Sequence, residues 1–172
     1  MSGTSNKTRI LAEISITVAL SIVLNYIKVF QLPYGGSITL GSMVPVLLIA
    51  LRRGPKVGVF TGAVFGLVQM LLDGWVYHPL GMLLDYPLAF GSLGLAGFFK
   101  KQPLIGVAIA LCGRFLSHFI SGVIFFGTFA PEGMDPVVYS AIYNGSYMLP
   151  EMVISGNIIY IIWKRNMINL NI

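Results

Sequence analysis

The sequence predicts an all-α integral membrane protein of about six transmembrane helices, with both termini cytoplasmic. Composition is the first sign: 56% of the 172 residues are hydrophobic and only 10% are charged, against about 25% charged in ordinary soluble domains. Too few charges remain to cover a globular surface. The second sign is that the apolar residues arrive in runs approaching or exceeding the roughly 20 residues needed to span a hydrocarbon core. The third is charge placement. Nine of the eleven basic residues fall into four clusters, Lys7 with Arg9, Arg52 and Arg53 with Lys56, Lys100 with Lys101, and Lys164 with Arg165. Six spans put all four clusters on one side of the membrane, which the positive-inside bias makes cytoplasmic. The net charge of +5 therefore encodes topology, and nucleic-acid binding is not expected.

The whole chain, 1–172, reads as a single transmembrane domain, with spans at roughly 8–29, 38–51, 57–72, 80–99, 104–129 and 137–163. The first span follows Lys7 and Arg9 as a secretory signal would, but no small-x-small cleavage site stands after it, so a retained helix is expected. After it, Gln31-Leu-Pro-Tyr-Gly-Gly-Ser37 breaks the apolar pattern as a turn-rich outer loop. The second span has only 14 residues and contains Pro45, so it is expected to be short, kinked or shielded by protein. The third carries Gly58-x-x-x-Gly62-x-x-x-Gly66, three glycines on one helix face, where a neighbouring backbone could come close. The loop Asp73-Gly-Trp-Val-Tyr-His-Pro79 is short and aromatic, as interface anchors are. The fourth span ends at Lys100-Lys101, Pro103 restarts the chain, and a loop with Glu132 and Asp135 leads into the last span.

Ionisable groups inside spans cost a few kcal/mol even on lenient scales, so each needs a partner, a cavity or a function. Asp85 stands five residues into the fourth span, followed by Tyr86. Arg114 and His118 lie one turn apart on the fifth, hence on one face. Tyr139, Tyr143 and Tyr147 recur every four residues on the sixth, with Asn144 beside them. These residues, with Phe126, can line one pocket opening outward. An aromatic box around a single carboxylate suits a flat, cationic, hydrogen-bonding ligand, since cation–π and ion-pair contacts each gain roughly 1 to 2 kcal/mol or more when desolvated. Alternatives stand beside this reading. Asp85 and Arg114 could neutralise each other, His118 could be a helix–helix hydrogen-bonder, and the tyrosines could belong to an interface belt. Glu151, after Pro150, reads as structural near a helix kink.

Several chemistries lack their signatures. No G-x-x-x-x-G-K-[ST] loop occurs, so energy would have to come from partners. Gly91-Ser92-Leu93-Gly94 is not a G-x-S-x-G elbow. Two histidines and the single Cys112 provide no metal set. Asn6-Lys-Thr8 and Asn144-Gly-Ser146 match a glycosylation pattern by chance.

Five ordered pieces carry a resemblance over nearly the whole chain. They are Leu32-Pro-Tyr-Gly-Gly-Ser-Ile-Thr-Leu40 leading to Met43-Val-Pro45, Leu51-Arg-Arg-Gly54, Leu84-Asp-Tyr86, His118-Phe119 with Gly122, and Tyr139 through Asn144-Gly145. The chain resembles the thiamine-specific substrate-binding subunit of energy-coupling factor transporters. That resemblance implies a non-enzymatic, cofactor-free, multi-pass protein of a prokaryotic cell membrane. It would bind thiamine under its first loop and pass it to a transmembrane coupling subunit driven by two ATPase subunits. The implied ligand residues are Asp85, where the family carries glutamate, with Tyr86, His118, Tyr139, Asn144, Trp75, Arg114, Phe126 and Tyr143. Phe126 replaces a tryptophan, and a first-loop tryptophan of some members is replaced around Gly35-Gly36. Ser15 and Ala19 stand where the family docks its partner. The same kind of subunit for another vitamin or a thiamine precursor is the alternative, an intramembrane enzyme using Asp85, His118 or Ser92 a remote one, and a small channel a third.

Overall fold

The structure, a computed structural model, describes residues 2–165, with side chains from Asn6 onward. Six helices follow in order: α1 (Ser2–Tyr26), α2 (Val44–Arg53), α3 (Pro55–Asp73), α4 (Pro79–Phe98), α5 (Pro103–Phe125) and α6 (Pro136–Lys164). Proline opens α3, α4, α5 and α6, the position where its fixed φ suits a helix and its missing N–H costs nothing. Asp135 caps α6, its Oδ1 accepting from the N–H of Val137 at 2.8 Å. Helix α4 is continuous but not uniform, with a π-helical turn at Leu84–Leu88 that contains Pro87 and a 3₁₀ stretch at Ser92–Phe98.

Between α1 and α2 the chain forms a two-stranded antiparallel hairpin, β1 (Lys28–Gln31) and β2 (Ser37–Thr39). Two boundaries expected from sequence are thereby corrected. The first helix stops at Tyr26 rather than Val29, and the second starts at Val44 rather than Ile38. Lys28–Gln31 and Ser37–Thr39 pair as antiparallel strands, and left-handed Tyr34 (φ 63°) and Gly35 (φ 99°) close the turn. A third boundary also moves: α5 stops at Phe125, and Gly127–Phe129 coil away as a 3₁₀ turn.

Ten residues make α2 about 15 Å long, half a hydrocarbon core. Its shielding is complete enough to permit that, since seven of the ten are buried. Four helical stretches, Asn6–Tyr26, Pro55–Asp73, Pro79–Phe98 and Pro103–Phe125, are long and apolar enough to cross a membrane. Their outward faces are apolar, with Ile16, Leu71, Phe98 and Ile124 all more than 60% exposed, as lipid contact requires. Inside, Met43, Leu47 and Leu51 of α2 and its approach pack with Phe65, Leu93 and Leu111.

The glycine ladder of α3 is a packing surface. A Cβ on Gly62 would lie 2.1 Å from the Phe90 carbonyl oxygen, and one on Gly66 2.4 Å from that of Tyr86. From α4, a Cβ on Gly94 would meet the Val59 nitrogen at 2.1 Å. Backbone therefore touches backbone along α3 and α4, which positions Asp85 and Tyr86.

The two ends of the bundle are pinned differently. At one end Glu13 accepts two hydrogen bonds from Arg53 (2.7 and 2.6 Å) and pairs with Arg9 at 3.4 Å, while Lys100 donates to the Arg52 carbonyl at 3.2 Å. At the other, Lys28 pairs with Asp73.

Candidate ligand-binding site

Asp85, Tyr86, His118, Tyr139, Asn144, Trp75, Arg114, Phe126 and Tyr143 all line one cavity of about 880 Å³, its open mouth included. Residues of a loop, α4, α5 and α6 are thus brought together. Ser15 and Ala19 lie elsewhere, on the exposed face of α1, where the Ser15 hydroxyl donates back to the Leu11 carbonyl at 3.0 Å.

The carboxylate sits where α4 departs from α-helical geometry. Such π turns re-aim side chains and concentrate at functional sites. Asp85 Oδ1 is 2.9 Å from His118 Nδ1, and Oδ2 accepts from the Ser121 hydroxyl at 2.7 Å. Arg114 does not neutralise Asp85 directly, so that pairing is set aside. Its Nε donates to His118 Nε2 at 3.3 Å, its guanidinium lies 4.2 Å from the Phe90 ring centre, and Nη1 points to the Met43 sulfur. Arginine, imidazole and carboxylate form one line across the cavity wall, with a cation at one end and an anion at the other.

Aromatic rings cover the mouth. Trp75 stacks on Phe126 at 5.5 Å and 27°, and Tyr34 packs on Trp75 at 5.3 Å and on Phe129 at 4.9 Å. Trp75 is therefore part of the cavity rather than an interface anchor only. Sequence reasoning missed Tyr34 and Phe129. Tyr34 sits inside the turn signal of the first loop, and its ring joins the aromatic cover of the cavity. Phe129 was hidden in an overlong fifth span. Tyr147 was visible as the third member of a fourfold stripe.

Several polar groups of the cavity wall also bond within the protein. The Tyr86 hydroxyl accepts from the Trp75 N–H at 2.7 Å, fixing that loop over the site. Asn144 Oδ1 accepts from the Tyr147 hydroxyl at 2.8 Å while Nδ2 donates to the Ser140 carbonyl at 2.9 Å. The Tyr143 hydroxyl accepts from the Gly36 N–H at 3.0 Å and donates to the Pro33 carbonyl. Lower on the same helix, buried Glu151 accepts from the Thr39 N–H and hydroxyl, so its structural role is to hold the hairpin root rather than to relieve a kink. A Cβ on Gly36 would fall 2.9 Å from Tyr143 Oη and from the Tyr147 ring, so the turn lies directly on α6.

Ser121 is bonded to the carboxylate and not to the imidazole, so it forms no Ser–His pair. Ser92 donates to the Ala89 carbonyl at 2.6 Å and does not line the cavity. Among the described residues, no group of three His, Cys, Asp or Glu side chains could hold a metal ion.

Comparisons with known proteins agree on one family. The profile described as "Thiamine transporter protein" (Thia_YuaJ) matches residues 11–170. "Thiamine transporter ThiT" of Bacillus subtilis is 34% identical over 172 aligned residues, covering 89% of each chain. Its namesake in Lacticaseibacillus paracasei is 30% identical, covering 85% of this chain and 82% of that one. A solved structure of ThiT from Listeria monocytogenes superposes with a TM-score of 0.85 at 29% identity, covering 93% of this chain and 96% of the other.

Proposed function

We propose, on the premise that this chain belongs to the thiamine transporter protein family, that it captures thiamine in the cavity between its first loop and α4, α5 and α6. The observation that carries this reading is that the Asp85 carboxylate shares a cavity with the faces of Trp75, Phe126 and Tyr34. Thiamine is a flat two-ring cation. Its thiazolium charge sits toward Asp85, and its rings lie against Trp75, Phe126 and the imidazole of His118. Tyr139 supplies a hydrogen-bond donor at the wall. Tyr86, Tyr143 and Asn144 act at one remove, by holding Trp75, the hairpin tip and Tyr147 in place. Each ring–cation contact contributes roughly 1 to 2 kcal/mol when desolvated.

The membrane orientation follows from charge. The end bearing Arg9, Arg52, Arg53 and Lys100 is cytoplasmic, so the cavity opens to the outside of a multi-pass protein in the bacterial cell membrane. With no nucleotide-binding loop in the sequence, delivery is driven by partners: a transmembrane coupling subunit that docks on the small-residue face of α1 at Ser15 and Ala19, and two ATPase subunits of an energy-coupling factor module.

Intrinsic fluorescence tests the capture step. Trp75 lines the cavity and Trp163 lies in the last turn of α6, so thiamine should quench the purified protein and Trp75→Phe should abolish the quenching. Quenching that survives in Trp75→Phe, or none in the wild type, counts against the site. Competition with pyridoxine and riboflavin separates thiamine from other vitamins, since neither should displace it.

The hairpin clasp sets how long the ligand stays. Tyr143→Phe removes a hydroxyl that both accepts from Gly36 and donates to Pro33, and losing such bonds costs about 1 to 3 kcal/mol. Stopped-flow release of thiamine should accelerate by about tenfold, near the low end of that range, with the association rate little changed.

A further inference from the structure

Histidine in a binding cavity presents a choice of three hydrogen states, and here the neighbours remove the choice. Arginine is a donor only, and so is the backbone amide, whereas each neutral imidazole nitrogen either donates or accepts. Arg114 Nε–H points at His118 Nε2 from 3.3 Å, so Nε2 must offer its lone pair. The proton of the neutral ring then sits on Nδ1, which faces Asp85 Oδ1 at 2.9 Å. The second histidine is set the opposite way. His78 Nδ1 accepts from the Leu80 N–H at 3.1 Å, which leaves its proton on Nε2.

We infer that Arg114 is a positioning residue rather than a ligand contact: it occupies the Nε2 lone pair of His118, keeps that imidazole neutral, and so reserves Asp85 as an unpaired anion for the cation of the ligand. This inference rests on the reading that Asp85 faces the thiazolium of thiamine. A protonated His118 beside Asp85 would form an internal ion pair, and an arriving cation would have to displace that charge. The guanidinium prevents this by standing where the second proton would go. It is itself held without a carboxylate, over the face of Phe90 and against the Met43 sulfur.

No other group around His118 takes over that duty. From α4 it faces Asp85, with Tyr86 next in the chain. From α6 it meets the edge of Tyr147 at 6.2 Å, with Tyr143 one turn away. The remaining nearby carboxylates are engaged elsewhere, Glu151 by Thr39 and Asp73 by Lys28. Met43 of the segment before α2 is uncharged.

Thiamine affinity of the purified full-length protein, measured by calorimetry at pH 7.5 and 5.5, tests this. In the wild type the two values should differ by less than about threefold. In Arg114→Met the Nε2 lone pair is free to take a second proton as the pH falls. The variant should therefore lose affinity between pH 7.5 and 5.5 by more than the roughly threefold allowed to the wild type. A variant that follows the wild-type profile overturns the inference. The second measurement needs no variant at Arg114. Nitrogen-15 spectra of histidine-labelled protein should show one ring protonated on Nδ1 and one on Nε2, and His78→Gln should delete the Nε2–H signal set. Two Nε2–H rings, or a His118 imidazolium at pH 7.5, would overturn it. If the wild type binds no thiamine at either pH, the proposed function falls while the spectra still decide the state of His118.

Discussion

Replacing Asp85 by asparagine is expected to weaken thiamine binding by about a hundredfold, or about 2.7 kcal/mol. The substitution isolates charge from shape. Asparagine keeps an oxygen that can accept from His118 Nδ1, and its amide can still meet the Ser121 hydroxyl, so the two bonds that now hold the carboxylate at 2.9 and 2.7 Å need not be lost. What disappears is the negative end of the Arg114–His118–Asp85 line. The cavity wall then carries an arginine with no anion opposite it, and a cationic ligand entering that wall is repelled. Removing one partner of a buried charge pair typically costs 2 to 5 kcal/mol, and partial exposure of the Asp85 side chain, 17%, places the value at the low end. Calorimetric titration of the purified variant measures it. A loss smaller than threefold would take Asp85 out of ligand recognition.

The largest effect on stability is expected at Gly62. A methyl group there would lie 2.1 Å from the Phe90 carbonyl oxygen, 2.8 Å from its carbon and 3.2 Å from the Gly91 Cα. All three are backbone atoms of α4, so no side chain can swing aside. The helices must separate, and the separation runs along a seam that includes Gly58, Gly66 and Gly94. Overpacking a tight interior costs about 1 to 3 kcal/mol and sometimes more. Gly62→Ala should destabilise by about 3 kcal/mol, read as a lower thermal midpoint in detergent and a lower yield of folded protein. Gly145→Ala is the control. Its Cβ would meet nothing within 4 Å, so the midpoint should hold or rise slightly, because alanine favours a helix over glycine. Equal behaviour of the two variants would remove the seam from the energetics.

The expected destabilisation bears on binding as well as folding. Gly66 packs on the Tyr86 carbonyl, one residue from Asp85. Shifting α4 by even a fraction of an ångström would move the carboxylate relative to His118 on α5, so stability and site geometry share the same glycines.

Much of this was legible in the sequence because polar residues in apolar runs are conspicuous. Asp85, Arg114, His118 and Asn144 stood out for their cost in lipid, and the structure gathers them with the aromatic residues around one cavity. Roles were harder to see than positions. Tyr143 was expected among the ligand contacts, yet its hydroxyl is taken by Gly36 and Pro33, which precede it by more than 100 residues. Tyr86 and Asn144 likewise bond to Trp75 and Tyr147, partners that only the fold defines. The start of α2 is misplaced from sequence because Ile38 and Leu40 continue the apolar run toward Val44, and only the fold, with its left-handed turn at Tyr34 and Gly35, pairs Ser37–Thr39 as a strand. The π turn at Leu84–Leu88 has no period of its own in sequence, although Pro87 marks a residue that cannot donate within the helix.

The most direct test is a crystal structure of the protein grown with thiamine. It should show the ligand in the cavity with its thiazolium beside Asp85 and a ring against Trp75 or Phe126, under a hairpin still clasped by Tyr143. Thiamine bound outside this cavity, or within it but with Asp85, Trp75 and Phe126 all beyond contact distance, would contradict the assignment.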